Sequence, residues 1–328
     1  MRKVSTYKMA FTLLAATSLL AGCSGDDFNG NGNVNGNNSN TITFNTNVSN
    51  FISKAATYDN NNLKAEGSFA CAAYEANTPY TFFEPTKVIW DSSESKWKFA
   101  EGQYWKYASA LDFFAYMPAT KPSYISSISY GTARQPQFVC TNLPMGAGEQ
   151  DVLKEFVCAL TTGRTKDNSA SGVNMKFYHP FARLKFVVSG PDVTINSVTL
   201  SGLATSGTCT FDGTNSTYID ENGICNFLNS DTSAGIMPTW SSRSGNADLV
   251  VNNFDGTASY LVIPNTYKAG AVTITVNATW TSLSNITVNK TATNKAALNW
   301  EPGYSYTFTL SLSGDILKVD INKFTEQW

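Results

Sequence analysis

Along most of this 328-residue chain, apolar side chains recur at every second position, the period of a strand with one buried face. Ile42, Phe44 and Val48 alternate with polar residues and predict a first strand over 41–48. Val88 and Trp90, then Trp97 and Phe99, flank the polar stretch 91–95 and predict a hairpin. Residues 111–116 form a short strand that Pro118 stops, because proline has no N–H to give to a sheet. The second half alternates more strictly. Ala182, Leu184, Phe186 and Val188 face one way, with Arg183 and Lys185 opposite. Val272, Ile274, Val276, Ala278 and Trp280 repeat the pattern, as do Tyr304, Tyr306, Phe308, Leu310 and Leu312. After Gly314 the series resumes with Leu317, Val319 and Ile321. One segment breaks the rule: Val152, Leu153, Phe156 and Leu160 share a face at helical spacing and predict a short helix over 149–160.

Asp212-Gly213, Asn222-Gly223 and Asp255-Gly256 are dipeptides suited to tight turns. Many short alternating strands with turns between them predict an all-β chain built as sandwiches of antiparallel sheets, each with one wet face. The polar stretch 164–172 interrupts the patterning, so two β-sandwich domains are expected, 41–170 and 171–328.

The first forty residues differ. Arg2, Lys3 and Lys8 precede an apolar run over 9–21 that is too short to span a bilayer, and small residues close it at Gly22. This predicts a signal peptide over 1–22. Leu19-Leu20-Ala21-Gly22-Cys23 resembles the lipobox of bacterial lipoproteins, which makes Cys23 the first mature residue and the site of acylation. Acyl chains contribute about 0.8 kcal/mol per buried CH₂, so several of them tether a protein firmly. Residues 23–40 are mostly Asn and Gly and read as a flexible tether. Asp26-Asp27 within it resembles the acidic export signal of surface lipoproteins of the Bacteroidetes.

Composition narrows the function. Charged residues are 15% and the formal net charge is -2, so there is no basic face for nucleic acid. No Cys-x-x-Cys occurs and His179 is the only histidine, which removes the common zinc patterns; no metal or cofactor is expected. Beyond Cys23, the cysteines Cys71, Cys140, Cys158, Cys209 and Cys225 are expected mainly as small buried hydrophobes, although Cys209 and Cys225 could close a local loop. Any Ser-His-Asp or Cys-His scheme must use His179, whose place between Tyr178 and Pro180 suits a structural role better. Asp220-Glu221 and Asp255 are the acids for any glycoside chemistry, but all sit in turn contexts. No catalytic site is expected.

Several segments in order resemble the fimbrillin family of the Bacteroidetes: Ile42-Thr43-Phe44; Leu111-Asp112-Phe113-Phe114-Ala115-Tyr116-Met117-Pro118 after Tyr104-Trp105; and Asp151-Val152-Leu153. Met175-Lys176-Phe177-Tyr178-His179-Pro180-Phe181-Ala182-Arg183-Leu184 continues the series. Leu261-Val262-Ile263-Pro264 and Trp300-Glu301-Pro302-Gly303-Tyr304-Ser305-Tyr306 complete it. The resemblance implies two transthyretin-like β-sandwich domains and assembly in place of catalysis. It implies delivery as a lipid-anchored precursor to the outer membrane and cell surface, then removal of the first strand, whose groove a strand from another subunit fills. On this chain the groove-plugging residues would be Ile42, Phe44 and Val48, and the donor residues Leu317, Val319 and Ile321, with Phe324 near their end. Family members are cut after arginine; none lies between Cys23 and Arg134, so Lys54 is the expected processing residue. The expected partners are other fimbrillin subunits, the outer membrane through Cys23, and a glycan or protein on a host or bacterial surface. The alternative is a non-polymerising, glycan-binding surface lipoprotein that stacks sugars on Trp90, Trp97, Trp105, Trp240 or Trp280, with Trp240 the residue best placed for exposure.

Overall fold

The alternation becomes strand almost throughout a computed structural model that describes residues 40–48, 62–105, 109–130, 135–190, 192–214, 221, 223–225, 238–280, 286–313 and 316–324. The chain opens with β1 (Thr43–Val48), a short helix α1 (Asn62–Glu66), β2 (Ser68–Glu75), β3 (Thr81–Asp91), β4 (Lys96–Phe99) and β5 (Leu111–Met117). Next come β6 (Ile125–Ser129), β7 (Gln137–Cys140), β8 (Val157–Arg164) and β9 (Val173–Phe177). The middle supplies β10 (Ala182–Ser189), β11 (Val193–Leu203), β12 (Ser206–Thr210), β13 (Thr239–Ser244) and β14 (Ala247–Val251). The last run is β15 (Tyr260–Val262), β16 (Asn265–Tyr267), β17 (Thr273–Trp280), β18 (Ile286–Thr293), β19 (Leu298–Trp300), β20 (Ser305–Ser313) and β21 (Ile316–Phe324).

A seven-stranded sheet in the order β8-β5-β2-β3-β4-β1-β9 holds the first part of the chain. Its two ends meet, since Cys158 and Tyr178 exchange backbone hydrogen bonds of 3.1 and 2.8 Å. The sheet therefore wraps around its own core, made of Ile42, Phe44, Phe69, Trp97, Phe99, Phe113 and their neighbours. Three four-stranded sheets, β15-β10-β20-β21, β14-β11-β17-β18 and β13-β12-β7-β6, enclose a second core with the pair β16-β19. β2, β5 and β8 are shared walls. Phe69, Cys71 and Ala73 face the first core while Ala70, Ala72 and Tyr74 face the second. Strands buried on both faces lose alternation and read as continuous apolar runs.

The chain is an all-β sandwich fold. β17 keeps the strict alternation that the sequence shows, with Ile274, Val276, Ala278 and Trp280 buried and the intervening Thr and Asn outward. The expected hairpin forms with Val88 opposite Phe99 and Trp90 opposite Trp97. Its turn is held by Asp91, which accepts the Ser93 amide at 2.8 Å and the Lys98 ammonium at 2.5 Å. The expected helix over 149–160 is corrected. Only Glu149–Val152 turns, as a 3-10 turn, and from Val157 the chain runs extended as β8. The turn ends at Leu153, whose backbone is extended (φ -72°, ψ 119°), and Gln150 fastens it to the Leu261 backbone, taking its N–H at 3.0 Å and donating to its carbonyl at 3.2 Å. Val157–Leu160 then fill both cores, which an extended segment does and a helix face does not.

Cys71, Cys140, Cys158, Cys209 and Cys225 are all buried, and none of them forms a disulfide among the described residues. Burial pushes the thiols up, Cys140 to about 12 and Cys71, Cys158 and Cys209 well above their ordinary value near 9. A thiol whose folded pKa is raised stabilises the fold fully below its unfolded pKa, and that contribution is lost as pH rises through about 9 towards 12. Native protein will therefore resist iodoacetamide at neutral pH and react on unfolding. Its denaturation midpoint will fall as pH rises from about 9 towards 12, and rapid labelling of the folded protein at neutral pH would contradict the burial of the thiols.

Candidate assembly site

β1 lies inside the first sheet and is paired on both sides. It runs antiparallel to β4, with Thr43 opposite Lys98 and Phe44 opposite Trp97. On its other side it runs parallel to β9, in register from Phe44 with Val173 to Val48 with Phe177. The approach to the strand is also fixed, because Ile42 donates to Gln103 O at 2.9 Å and Trp105 to Asn40 O at 2.8 Å. Gly172, with φ 112°, sits against it. That positive φ favours glycine where the loop before β9 closes on β1, and a Cβ there would be tight as well, 3.2 Å from Asn45 Nδ2.

The inward side chains carry the packing. Ile42 and Phe44 are fully buried. The Phe44 ring meets Phe69 of β2, Phe99 of β4 and Phe113 of β5 edge to face, at centroid distances of 5.7, 5.3 and 5.8 Å. Three strands thus supply three walls of one ring-shaped pocket, a geometry aromatic pairs prefer. On the outward side Asn45 Nδ2 donates to Ser171 O at 3.0 Å and Asn174 Oδ1 at 3.2 Å. Withdrawing β1 would leave β4 and β9 with facing unpaired edges over this pocket.

The C-terminal strand lies elsewhere. β21 pairs with β20 along its whole length, from Ser305 opposite Phe324 to Ser313 opposite Ile316, and is the outer strand of its sheet. Val319 and Ile321 are half-buried against the second core. With Val272, Ile274, Ala292 and Leu298 they line a cleft of about 510 Å³. The structure thus does not bring Val319 and Ile321 to Ile42 and Phe44 within one subunit. β1 includes Val48 and β21 includes Leu317, but these two side chains, and all of Cys23 and Lys54, lie outside the described residues.

His179 belongs to a buried charge cluster. Its Nδ1 lies 2.7 Å from Glu155 Oε1, and Arg183 Nη2 donates to Glu155 Oε2 at 3.1 Å. Arg183, read from the alternation as lying on the face opposite the apolar side chains of β10, is buried instead. Burial pulls its guanidinium below its ordinary value, and the Glu155 charge opposes this. The cluster ties the segment before β8 to the crossing from β9 into β10. Asp255 serves its turn, accepting the Thr257 amide at 2.8 Å, and Asp220 lies outside the described residues. Trp240, expected to be exposed, is buried. It packs between Phe138 and Phe181 at 5.5 and 5.2 Å, and its Nε1 donates to Pro180 O at 2.6 Å. Trp97, Trp105 and Trp280 are buried too, so these rings make no exposed stacking face.

The family model for fimbrillin-like proteins matches residues 34–328. The chain belongs to the fimbrillin-like family. No curated protein matches the sequence. Among solved structures, a fimbrial protein from Bacteroides vulgatus superposes with a TM-score of 0.55 at 16% identity, covering 88% of this chain and 99% of that one. A Bacteroides uniformis protein whose name assigns it to cell adhesion gives 0.51 at 15% identity, covering 87% and 98%. At these identities the likeness is one of fold. For this fimbrillin-like chain, reading the sequence found a first strand with Ile42 and Phe44 inward but missed the ring pocket, the parallel partner β9 and Glu155. Val173, Met175 and Phe177 do alternate, and that was the available signal for β9.

Proposed function

We propose that this fimbrillin-like chain is a structural or adhesive subunit of surface fimbriae, delivered as a lipoprotein through Cys23 and assembled by strand exchange between subunits. The observation that carries the reading is β1: a short strand early in the chain, paired on both sides, with Ile42 and Phe44 plugging a pocket in a sheet that is otherwise continuous. Strand addition fits such a slot, because main-chain hydrogen bonds supply affinity and alternate side-chain pockets set register. Unpaired edges are normally a hazard, and here they would be the means of assembly. Processing at Lys54 would detach β1 together with the lipid. Leu317, Val319 and Ile321 on the outermost strand of their sheet are the residues this subunit would lend to a neighbour. The two-domain division, 41–170 and 171–328, is part of the reading. The expected localisation is the outer membrane for the precursor and the fimbrium for the processed form, with other fimbrillin subunits as partners.

The test is mass spectrometry of protein recovered from sheared surface fibres. The expected N-terminus lies just after Lys54. Fibre-borne protein that retains a lipidated Cys23 and residues 41–48 would overturn the processing step.

A further inference from the structure

We infer that the slot held by β1 selects its occupant by an aromatic ring, and that the strand it takes comes from a different subunit and not from the C-terminal strand of a second copy. This rests on the strand-exchange reading above and names the partner within it.

The slot has a fixed order of demands. Ile42 is fully buried, Phe44 is 1% exposed inside three rings, and Thr46 is half-buried. An incoming strand must therefore offer aliphatic, then aromatic, then small side chains at alternate positions, since a strand presents only every second residue to one face. The chain's own C-terminal strand offers Leu317, Val319 and Ile321 on one face. Setting Val319 or Ile321 at the Phe44 position leaves the ring pocket part-empty. A slide by an odd number of residues brings Phe324 to that position, but then Asn322 falls where Ile42 is buried and Glu326 falls at Thr46. Placing Trp328 there sets Glu326, a charge, at the Ile42 position. No register satisfies both pockets. β21 is also paired along its whole length with β20 and contributes Val319 and Ile321 to its own core, so leaving it exposes that core. The partner's strand carries an aliphatic-x-aromatic pattern, with a polar residue after the ring able to replace the Asn45 contacts to Ser171 and Asn174.

The experiment uses the full mature chain with Cys23→Ser for solubility and a specific protease site inserted beside Lys54. After cutting, β1 is held only by its contacts, and a fluorescent peptide of residues 40–48 reports exchange. Unlabelled 40–48 peptide should compete, and its Phe44→Ala form should compete at least about 30-fold more weakly. A peptide of residues 316–324 should be as weak as that variant, and Val319→Phe within it should recover about tenfold or more. If the unmodified 316–324 peptide competes as well as the 40–48 peptide, or if Phe44→Ala changes nothing, the aromatic selection is wrong while strand exchange stands. If the fluorescent 40–48 peptide never enters the cut protein, strand exchange itself fails and takes this inference with it.

Discussion

Replacing Phe44 by alanine should cost the protein about 3–5 kcal/mol in stability, read as a lower urea midpoint with an unchanged slope. The ring is 1% exposed and touches rings on β2, β4 and β5. Removing it forfeits the transfer free energy of the side chain, and the cavity persists because its walls are held by three separately paired strands. Phe99 and Phe113 cannot slide inward, since each also packs elsewhere, Phe99 on Phe83 at 5.0 Å and Phe113 on Trp105 at 5.8 Å. Phe44→Leu should recover part of the loss. Tyr80→Ala, at a side chain 68% exposed, should stay within about 0.5 kcal/mol and serves as the control. A loss below about 1 kcal/mol for Phe44→Ala would mean that β1 is weakly seated.

The second large effect is expected at Glu155. Its two oxygens face His179 and Arg183, and all three side chains are buried. Glu155→Gln keeps the shape but removes the negative charge that faces the Arg183 guanidinium in the interior. Breaking one partner of such a buried pair costs about 3–5 kcal/mol. Replacing both by apolar or neutral residues is far milder, so Arg183→Met added to Glu155→Gln should restore most of the stability. A double-mutant cycle in urea measures this directly. Additive losses would show that the two side chains act independently and that the cluster is not a unit.

Much of the architecture was legible because one-sided strands imprint period two. β17 and the hairpin of β3 and β4 follow the sequence pattern position by position. Legibility failed where both faces are buried. Val157–Leu160 carries no alternation, so its apolar residues also fit a helical face, and only the second core explains why they are extended. Arg183 alternates as if outward, and its burial depends on Glu155, which approaches from before β8 and not from within β10. At the candidate site the period shows that Ile42 and Phe44 point inward but not what they meet. Phe69, Phe99 and Phe113 lie on three strands, and β9 pairs with β1 across more than a hundred residues of chain. Such long-range pairings leave no local mark. Trp240 illustrates the same limit: its polar neighbours suggest exposure, whereas Pro180 and two phenylalanines from distant segments enclose it.

The mixed pairing of β1 has a consequence for any filament built through its slot. The strand is antiparallel to β4 and parallel to β9, so its two edges meet different hydrogen-bond spacings. A strand that enters in the same sense reproduces both ladders as β1 makes them, while one entering reversed would run parallel to β4 and antiparallel to β9 and would need a new register on each. If each slot takes a strand in the sense of β1 from the next subunit, every junction is heterologous and carries one direction, head to tail. Such a filament has distinguishable ends. One end would present an unfilled slot and the other an unused strand.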